Sequence, residues 1–349
     1  MVSGLCRLIR IFLRIGSLEM VSFTNNTKEV LQLLKDAKGY ISGERVAQGL
    51  NISRAAVWKQ ICKLRKEGFC IDAEPRLGYR MVIPPDKLIP LEIKDGLKTS
   101  FVGQEIFYYP KTESTNLIAK NMAIDGAKEG TVVTAEEQTE GRGRLDRNWL
   151  SPAYKNILMS IIFRPDVQPS QVFSLTMLTS LAVVKAIKTI TTLNALIKWP
   201  NDIYIGSKKI GGILTEFSAE QDRVNFVIVG VGLNVNFDPS IYPEIKDTAT
   251  SLSRASGKEI SRVELLRSIL EEIEEGYNLF KKGRVTQIRN EWNTHSLIAG
   301  KPVRVACFGI TEEGVAESVD EDGCLILLDY KGKRKRIFSG DVSLKMTAS

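Results

Sequence analysis

Lys209 is followed by Ile210 and the pair Gly211-Gly212. A lysine there is a compact positive charge that a ligand can approach closely, because the glycines put no side chain in its way. Upstream, Gln138-Thr139-Glu140-Gly141-Arg142-Gly143-Arg144-Leu145-Asp146-Arg147 sets Arg142, Arg144 and Arg147 within six residues. Forked guanidinium donors match carboxylate and phosphate oxygens. Between these motifs lies Lys198-Trp199-Pro200-Asn201-Asp202. Trp199 offers a flat face to a base, and Asp202 is a carboxylate suited to hold Mg2+ or to act as a base. Glu113-Ser114-Thr115-Asn116 groups small hydroxyl and amide side chains. They can bond a polar ligand ring such as a ureido group, or cap a helix. Gly230-Val231-Gly232-Leu233-Asn234 suits a backbone passing close to a nucleotide, or a β-bulge. Taken singly, each has a plainer reading: Trp199 as core, Lys209 on the solvent face of a hairpin, Asp202 in a turn, the arginines solvated on a mobile loop.

What these residues share is the handling of anions. The chain has no GxxxxGK[ST] and no GxGxxG opening a helix. His295 is the sole histidine, which excludes a His-rich metal site and any serine or cysteine triad not built on that ring. Cys6, Cys62, Cys70, Cys307 and Cys324 are odd in number and form no CxxC, a pattern that suits a reducing cytoplasm. The 349 residues predict two or three domains, and 43% apolar with 26% charged residues fits a globular chain. With 48 Lys+Arg against 41 Asp+Glu, the net charge of +7 permits a polyanion partner without demanding one.

Positioning such residues takes alternating strands and helices. Strands are predicted at 106–109, 131–136 and 224–229, and a hairpin of 203–205 with 210–216 carries the Lys209 motif. Residues 86–297 therefore read as a mixed α/β core. Residues 298–349, with β-patterned runs at 302–308, 314–318, 324–329 and 334–339, read as a small β-barrel. Residues 1–20 are apolar but interrupted by Arg7, Arg10 and Arg14. No run there reaches the roughly 18 apolar residues of a membrane span, so the segment reads as a tail, with no membrane partner expected.

Residues 21–83 predict three helices and a basic hairpin. A first helix covers 28–38. Ser42 caps a second, to Leu50, and Ser53 caps a third, from Arg54 to Glu67, ended by Gly68. Val57, Ile61 and Leu64 form the inward stripe of the third helix, leaving Arg54, Ala55, Trp58, Lys59 and Lys63 outside it. An extended pair over 71–82 turns at Pro75-Arg76-Leu77-Gly78 like the wing of a winged helix. Residues 21–82 hold eleven Lys/Arg against six Asp/Glu, the excess that phosphate contact requires. A small helical interaction domain with a solvated basic face is the plainer reading; on the favoured DNA-binding reading, Arg54, Ala55 and Lys59 on the helix, with Arg76 and Arg80 on the wing, are the expected contacts. Ile83-Pro84-Pro85 reads as the linker to the core.

In this order, Ser114-Thr115-Asn116, the QxxGRGRxxR loop, KWPND, KxxGIL and GxGxN behind a winged helix closely resemble the bifunctional biotin protein ligases, also called biotin operon repressors. The start of the third helix, Ile52 to Lys59, resembles their recognition helix. The resemblance covers about residues 25–347 and implies an α+β chain. Its parts would be a winged helix-turn-helix, a mixed α/β core like that of class II synthetase-like biotin and lipoate ligases, and an SH3-like barrel. It implies two steps, in which biotin and Mg2+-ATP give biotinyl-5′-AMP and pyrophosphate, and the adenylate then acylates a lysine of a biotin carboxyl carrier domain. By the same resemblance, Lys209 meets the biotin carboxylate and the α-phosphate, and Arg144 and Arg147 hold phosphates or the adenylate. Ser114, Thr115, Asn116 and Gln138, with the backbone around Arg142-Gly143, line the biotin pocket. Trp199 stacks near adenine, Asn201 and Asn234 bond the nucleotide, and Asp202 is metal ligand or base for the incoming lysine. Operator DNA and, with the adenylate bound, a second copy of the chain complete the partners. Leu145-Asp146 departs from the more basic or glycine-rich loop of some relatives. A lipoate-type ligase and a ligand-sensing regulator without ligase activity are the other readings. Lys209, Arg144 and both glycine pairs favour a working enzyme.

Overall fold

Three hydroxyl side chains start three helices in the computed structural model, which describes residues 24–344 apart from 38, 67, 68, 84, 85 and 308. Thr24 accepts from the Thr27 amide ahead of α1 (Asn25–Asp36). Ser42 accepts from Arg45 ahead of α2 (Gly43–Leu50), and Ser53 from Ala56 ahead of α3 (Arg54–Lys66). Each bond satisfies an amide that the first helical turn leaves without a partner. The first helix begins earlier than its apolar spacing predicts because Thr24 provides the cap. Val30, Leu34, Val46, Val57, Ile61 and Leu64 are buried together, as the spacing of the third helix predicts. Strands β1 (Cys70–Glu74) and β2 (Gly78–Ile83) pair antiparallel as the wing. The N-terminal tail, Gly68 and Pro84-Pro85 lie outside the described residues. The chain divides into two compact units, 1–87 and 88–349.

The second unit is built on a seven-stranded sheet. Its strands are β3 (Ile106–Tyr109), β4 (Val132–Ala135), β5 (Asn156–Phe163), β6 (Leu196–Lys198), β7 (Asp202–Ile205), β8 (Lys208–Glu220) and β9 (Arg223–Asn234). They lie in the order β3-β4-β5-β9-β8-β7-β6, and only β3–β4 is parallel. Short helix α4 (Pro90–Lys94) precedes β3, and α5 (Thr115–Ile124) follows it. Helix α6 (Phe173–Thr191) joins β5 to β6; α7 (Leu252–Ser256), α8 (Arg262–Lys281) and α9 (Val285–Thr294) follow β9. The apolar stretch Pro169–Thr191 is long enough to span a bilayer by length and composition, yet 78% of its apolar window is buried in the fold. A helix apolar all round belongs between two layers, here the sheet and α8. At the start of α8, Arg262 lies 2.6 Å from Glu136, just after β4, and both are fully enclosed. Glu136 also accepts from the Leu88 amide, and Arg262 donates to the Asn156 carbonyl.

The C-terminal residues of this unit form a second, antiparallel sheet. It comprises β10 (Pro302–Cys307), β11 (Ile310–Val319), β12 (Leu325–Leu328), β13 (Arg334–Ile337) and β14 (Asp341–Leu344), ordered β13-β12-β11-β10-β14. Strand β14 and the full length of β11 escaped the periodicity, since both carry several charged or small polar residues. Three cations of the basic run at 331–336 are matched nearby: Arg334 by Glu317, Lys335 by Glu312, and Arg336 by Asp320.

Candidate active site

Alternation along β9 creates the floor of the site. Val229, Val231 and Leu233 join the helical core, so Gly230 and Gly232 face the other side of the sheet. Both sit in regular ladder positions, so the β-bulge weighed for this motif does not form, and both glycines line the cleft. The glycines instead admit two side chains. A Cβ on Gly230 would overlap the Asn116 amide oxygen, and one on Gly232 would lie 2.8 Å from the Trp149 ring.

One end of the resulting cleft is lined by neutral hydroxyl and amide groups, backed from behind by the carboxylate of Glu216. Gln138 Oε1 accepts from the Thr115 amide at 2.7 Å and the Thr115 hydroxyl at 3.1 Å. Ser160 on β5 donates to Asn116 Oδ1 at 2.6 Å, and its Oγ lies 2.8 Å from Thr115 Oγ1. Asn116 Nδ2 donates to Glu216 at 2.6 Å. Ser114 stands at the N-cap of α5 but its side chain makes no capping bond there; Gln138 takes that place. Ser160 and Glu216 are members that sequence reasoning missed, because nothing local marks a serine inside an apolar strand.

The other end is cationic. Lys209 on β8 and Asp202 on β7 lie 2.6 Å apart. The ring of Trp149 is 5.7 Å from Lys209 Nζ. Arg144 donates to Ser339 Oγ at 3.0 Å and reaches Asn201 Oδ1 at 3.5 Å. Burial holds its guanidinium below the ordinary arginine value, with Asp341 and Asp202 acting in the opposite direction. Arg147 is paired with Asp341 on β14. The arginine loop is closed on itself by Gly143 N–H to Arg147 O at 2.7 Å and Trp149 N–H to Gly141 O at 2.8 Å. Arg142 is exposed at its edge, 3.6 Å from Glu140. The loop is a tight turn, and its Arg144 and Arg147 reach Ser339 and Asp341 near the C-terminal end of the chain.

These groups line one cleft of about 1390 Å3. Ser114, Thr115, Asn116, Gln138, Arg142, Gly143, Arg144, Arg147, Trp199, Asn201, Asp202, Lys209 and Asn234 all reach its wall. Two of them have other work. Trp199 is only 1% exposed and donates its indole N–H to the Gly323 carbonyl at 2.9 Å. An indole so enclosed has no open face for a base, which corrects the stacking role expected of it. Asn234 is buried and donates its amide to Thr250 O at 3.1 Å, holding the segment that also brackets Lys209 through Lys209 N–H to Thr248 O. Trp149 is the aromatic residue that the sequence reading left without a role. Its indole nitrogen is buried and has no partner among the described residues.

The chain is similar to the bifunctional ligase/repressor BirA of Bacillus subtilis (strain 168), 41% identical over 91% of this chain and 98% of that relative. The chain belongs to the bifunctional ligase/repressor family. The profile of the biotin/lipoate A/B protein ligase family matches residues 108–234, and a helix-turn-helix profile matches 26–80. A biotin–[acetyl-CoA-carboxylase] ligase of Mycobacterium tuberculosis is 30% identical over 74% of this chain and 97% of that one. Among solved structures, a biotin protein ligase from Aquifex aeolicus in complex with biotin and ATP superposes with a TM-score of 0.61. It is 31% identical, covering 70% of this chain and all of that one.

As in a ligase/repressor, the first unit carries a second candidate site. Arg54, Ala55 and Lys59 are exposed on α3, and Arg76 stands at the wing tip with φ of 71°. Arg80 is exposed but already engaged, 2.9 Å from Asp72 and 4.7 Å over the Tyr40 ring. Trp58, 56% exposed on α3, also faces outward, beside Lys59.

Proposed function

We propose that this protein is a biotin–[biotin carboxyl carrier protein] ligase that also acts as a biotin-responsive repressor. It activates biotin with ATP to biotinyl-5′-AMP and passes the biotinyl group to a lysine of a carrier domain of a biotin-dependent carboxylase. The observation that carries this reading is the polarity of the cleft, with neutral ring-binding groups at one end and a cluster of cations at the other. Thr115, Asn116 and Gln138, with Ser114 and the backbone at Arg142-Gly143, take the ureido ring. Lys209 takes the carboxylate and the α-phosphate, and Arg144 and Arg147 take the phosphates and then the adenylate. Two anions must meet for the reaction to occur, and preorganised positive charge is the main thing an enzyme can supply. Asn201 lies beside the nucleotide, and the Trp149 ring, on the glycine floor next to Lys209, replaces Trp199 as the surface for adenine. No covalent enzyme intermediate is formed.

Magnesium belongs with the triphosphate. Among the described residues no three ligating side chains cluster, and Mg2+ commonly takes one or two carboxylates with substrate phosphates, a role open to Asp202. The repressor half uses α3 and the wing on operator DNA. One winged helix makes few phosphate contacts, so we assign tight binding to a homodimer formed when the adenylate is bound, on a two-fold operator. Biotin, ATP, carrier and DNA together place this protein in the cytoplasm. We keep 86–297 as the catalytic region and 298–349 as a C-terminal module. Biotin-dependent ATP–pyrophosphate exchange by the full chain tests the ligase; its absence rejects the reading. Sedimentation and operator titration with and without biotin and ATP test the dimer, and unchanged behaviour rejects it.

A further inference from the structure

Besides Arg142 at the edge of the arginine loop, four cations bound the charged end of the cleft, and they differ in how they are matched. Lys209 has Asp202, and Arg147 has Asp341. Arg144 rests on neutral oxygens of Ser339 and Asn201. Lys198, the last residue of β6, has Tyr204: its Nζ is 3.5 Å from the phenol oxygen and 5.2 Å from the ring centre. Its Cα stands opposite Asp202 in the β6–β7 ladder, but that carboxylate is turned to Lys209. Among the described residues Lys198 has no ion pair. Burial pushes its ammonium below the ordinary lysine value; Lys209 and Arg147 push the same way, against Asp202 and Asp341. A half-buried cation without a counter-ion is costly, and an arriving anion would relieve that cost.

The sheet order says which anion. Asn116 lies over β9, Lys209 is on β8, Asp202 on β7 and Lys198 on β6. Lys198 is thus two strands beyond Lys209, about 10 Å at the usual strand spacing, on the side away from the ring-binding end. In-line displacement puts the leaving group on the far side of the α-phosphorus from the attacking oxygen.

We propose that Lys198 binds the departing pyrophosphate of the adenylation step, while Lys209 serves the reacting carboxylate and α-phosphate. This rests on the adenylation reading above. A biotin carboxylate oxygen bonds to the α-phosphorus, the bond from that phosphorus to the bridging oxygen breaks, and the electron pair leaves with pyrophosphate. No proton has to move. Lys198 stabilises charge that grows on the leaving group only, so it has no part in transfer to the carrier.

The test separates the two half-reactions in the full-length protein. Lys198→Gln is expected to lower biotin-dependent ATP–pyrophosphate exchange about 10²-fold and to raise the pyrophosphate concentration for half-maximal exchange. Transfer from presynthesised biotinyl-5′-AMP to a carrier domain should stay within about two-fold of wild type, and Lys198→Arg should recover much of the exchange. Exchange that is unchanged, or transfer that falls as far as exchange, overturns the proposal. A second measurement needs no variant: inorganic pyrophosphate should protect Lys198 of the wild-type protein from amine labelling, and AMP should not. Labelling that pyrophosphate does not slow also overturns it. Wild-type protein without any biotin-dependent exchange would instead reject the ligase reading itself.

Discussion

The Asn116 amide oxygen occupies the space that a side chain at Gly230 would need. The same oxygen accepts from Ser160, so a glycine on β9 and a serine on β5 together fix the amide at the ring-binding end of the cleft. Gly230→Ala should displace Asn116. We expect biotin affinity to fall by tenfold or more, with a stability loss of about 1–3 kcal/mol from overpacking. Calorimetric biotin titration and urea unfolding measure the two effects. An alanine variant that binds biotin like wild type would show that Asn116 does not contact the ligand.

Lys209→Ala should reduce biotin-dependent pyrophosphate exchange by about 10²-fold, since it removes a charge aimed at the reacting anions. It also leaves Asp202 without its partner at 2.6 Å, so Asp202→Asn is the useful companion. If Asp202 only orients Lys209, the double variant should be no worse than Lys209→Ala. A further loss in the double variant would give Asp202 a role of its own.

Arg262→Met should destabilise the second unit by about 3–5 kcal/mol, because it strands the Glu136 carboxylate inside the core. Adding Glu136→Gln should restore part of that loss. Urea midpoints of the wild type and the three variants form the cycle. A cost under about 1 kcal/mol for Arg262→Met would mean that the pair is dispensable to the fold.

Arg54→Ala should weaken operator binding and lower the slope of log affinity against log salt by about 0.9, the signature of one lost phosphate contact. Exchange and carrier biotinylation should be unaffected, since Arg54 lies in the first unit and none of the cleft residues does. Binding isotherms at several salt concentrations, alongside an exchange assay, read both. An unchanged salt slope would remove Arg54 from the DNA interface.

The winged helix was legible because its signals are local. Ser42 and Ser53 cap helices a few residues away, and Val57, Ile61 and Leu64 recur at helical spacing, so neighbours in sequence carry the whole message. The chemistry was legible in the same sense: residue types and their order named the anion-handling groups before any geometry.

Partnership across the sheet was not. Which indole is open depends on packing between distant segments: Trp199 is sealed by Gly323, whereas Trp149 lies on Gly232. Arg147 meets Asp341 at a separation of 194 residues, a pairing that no periodicity encodes. The glycines of β9 face the cleft only because Val229 and Val231 face the helices, and a one-residue slip in register would exchange the two sets. The sequence by itself determined the cast, the caps and the helical stripes, which are properties of neighbouring residues. The tertiary structure alone decided that Ser160 and Glu216 support Asn116, that Asp202 is turned to Lys209, and that Lys198 has no ion pair among the described residues, because those depend on strand order and side-chain parity between strands far apart in the chain.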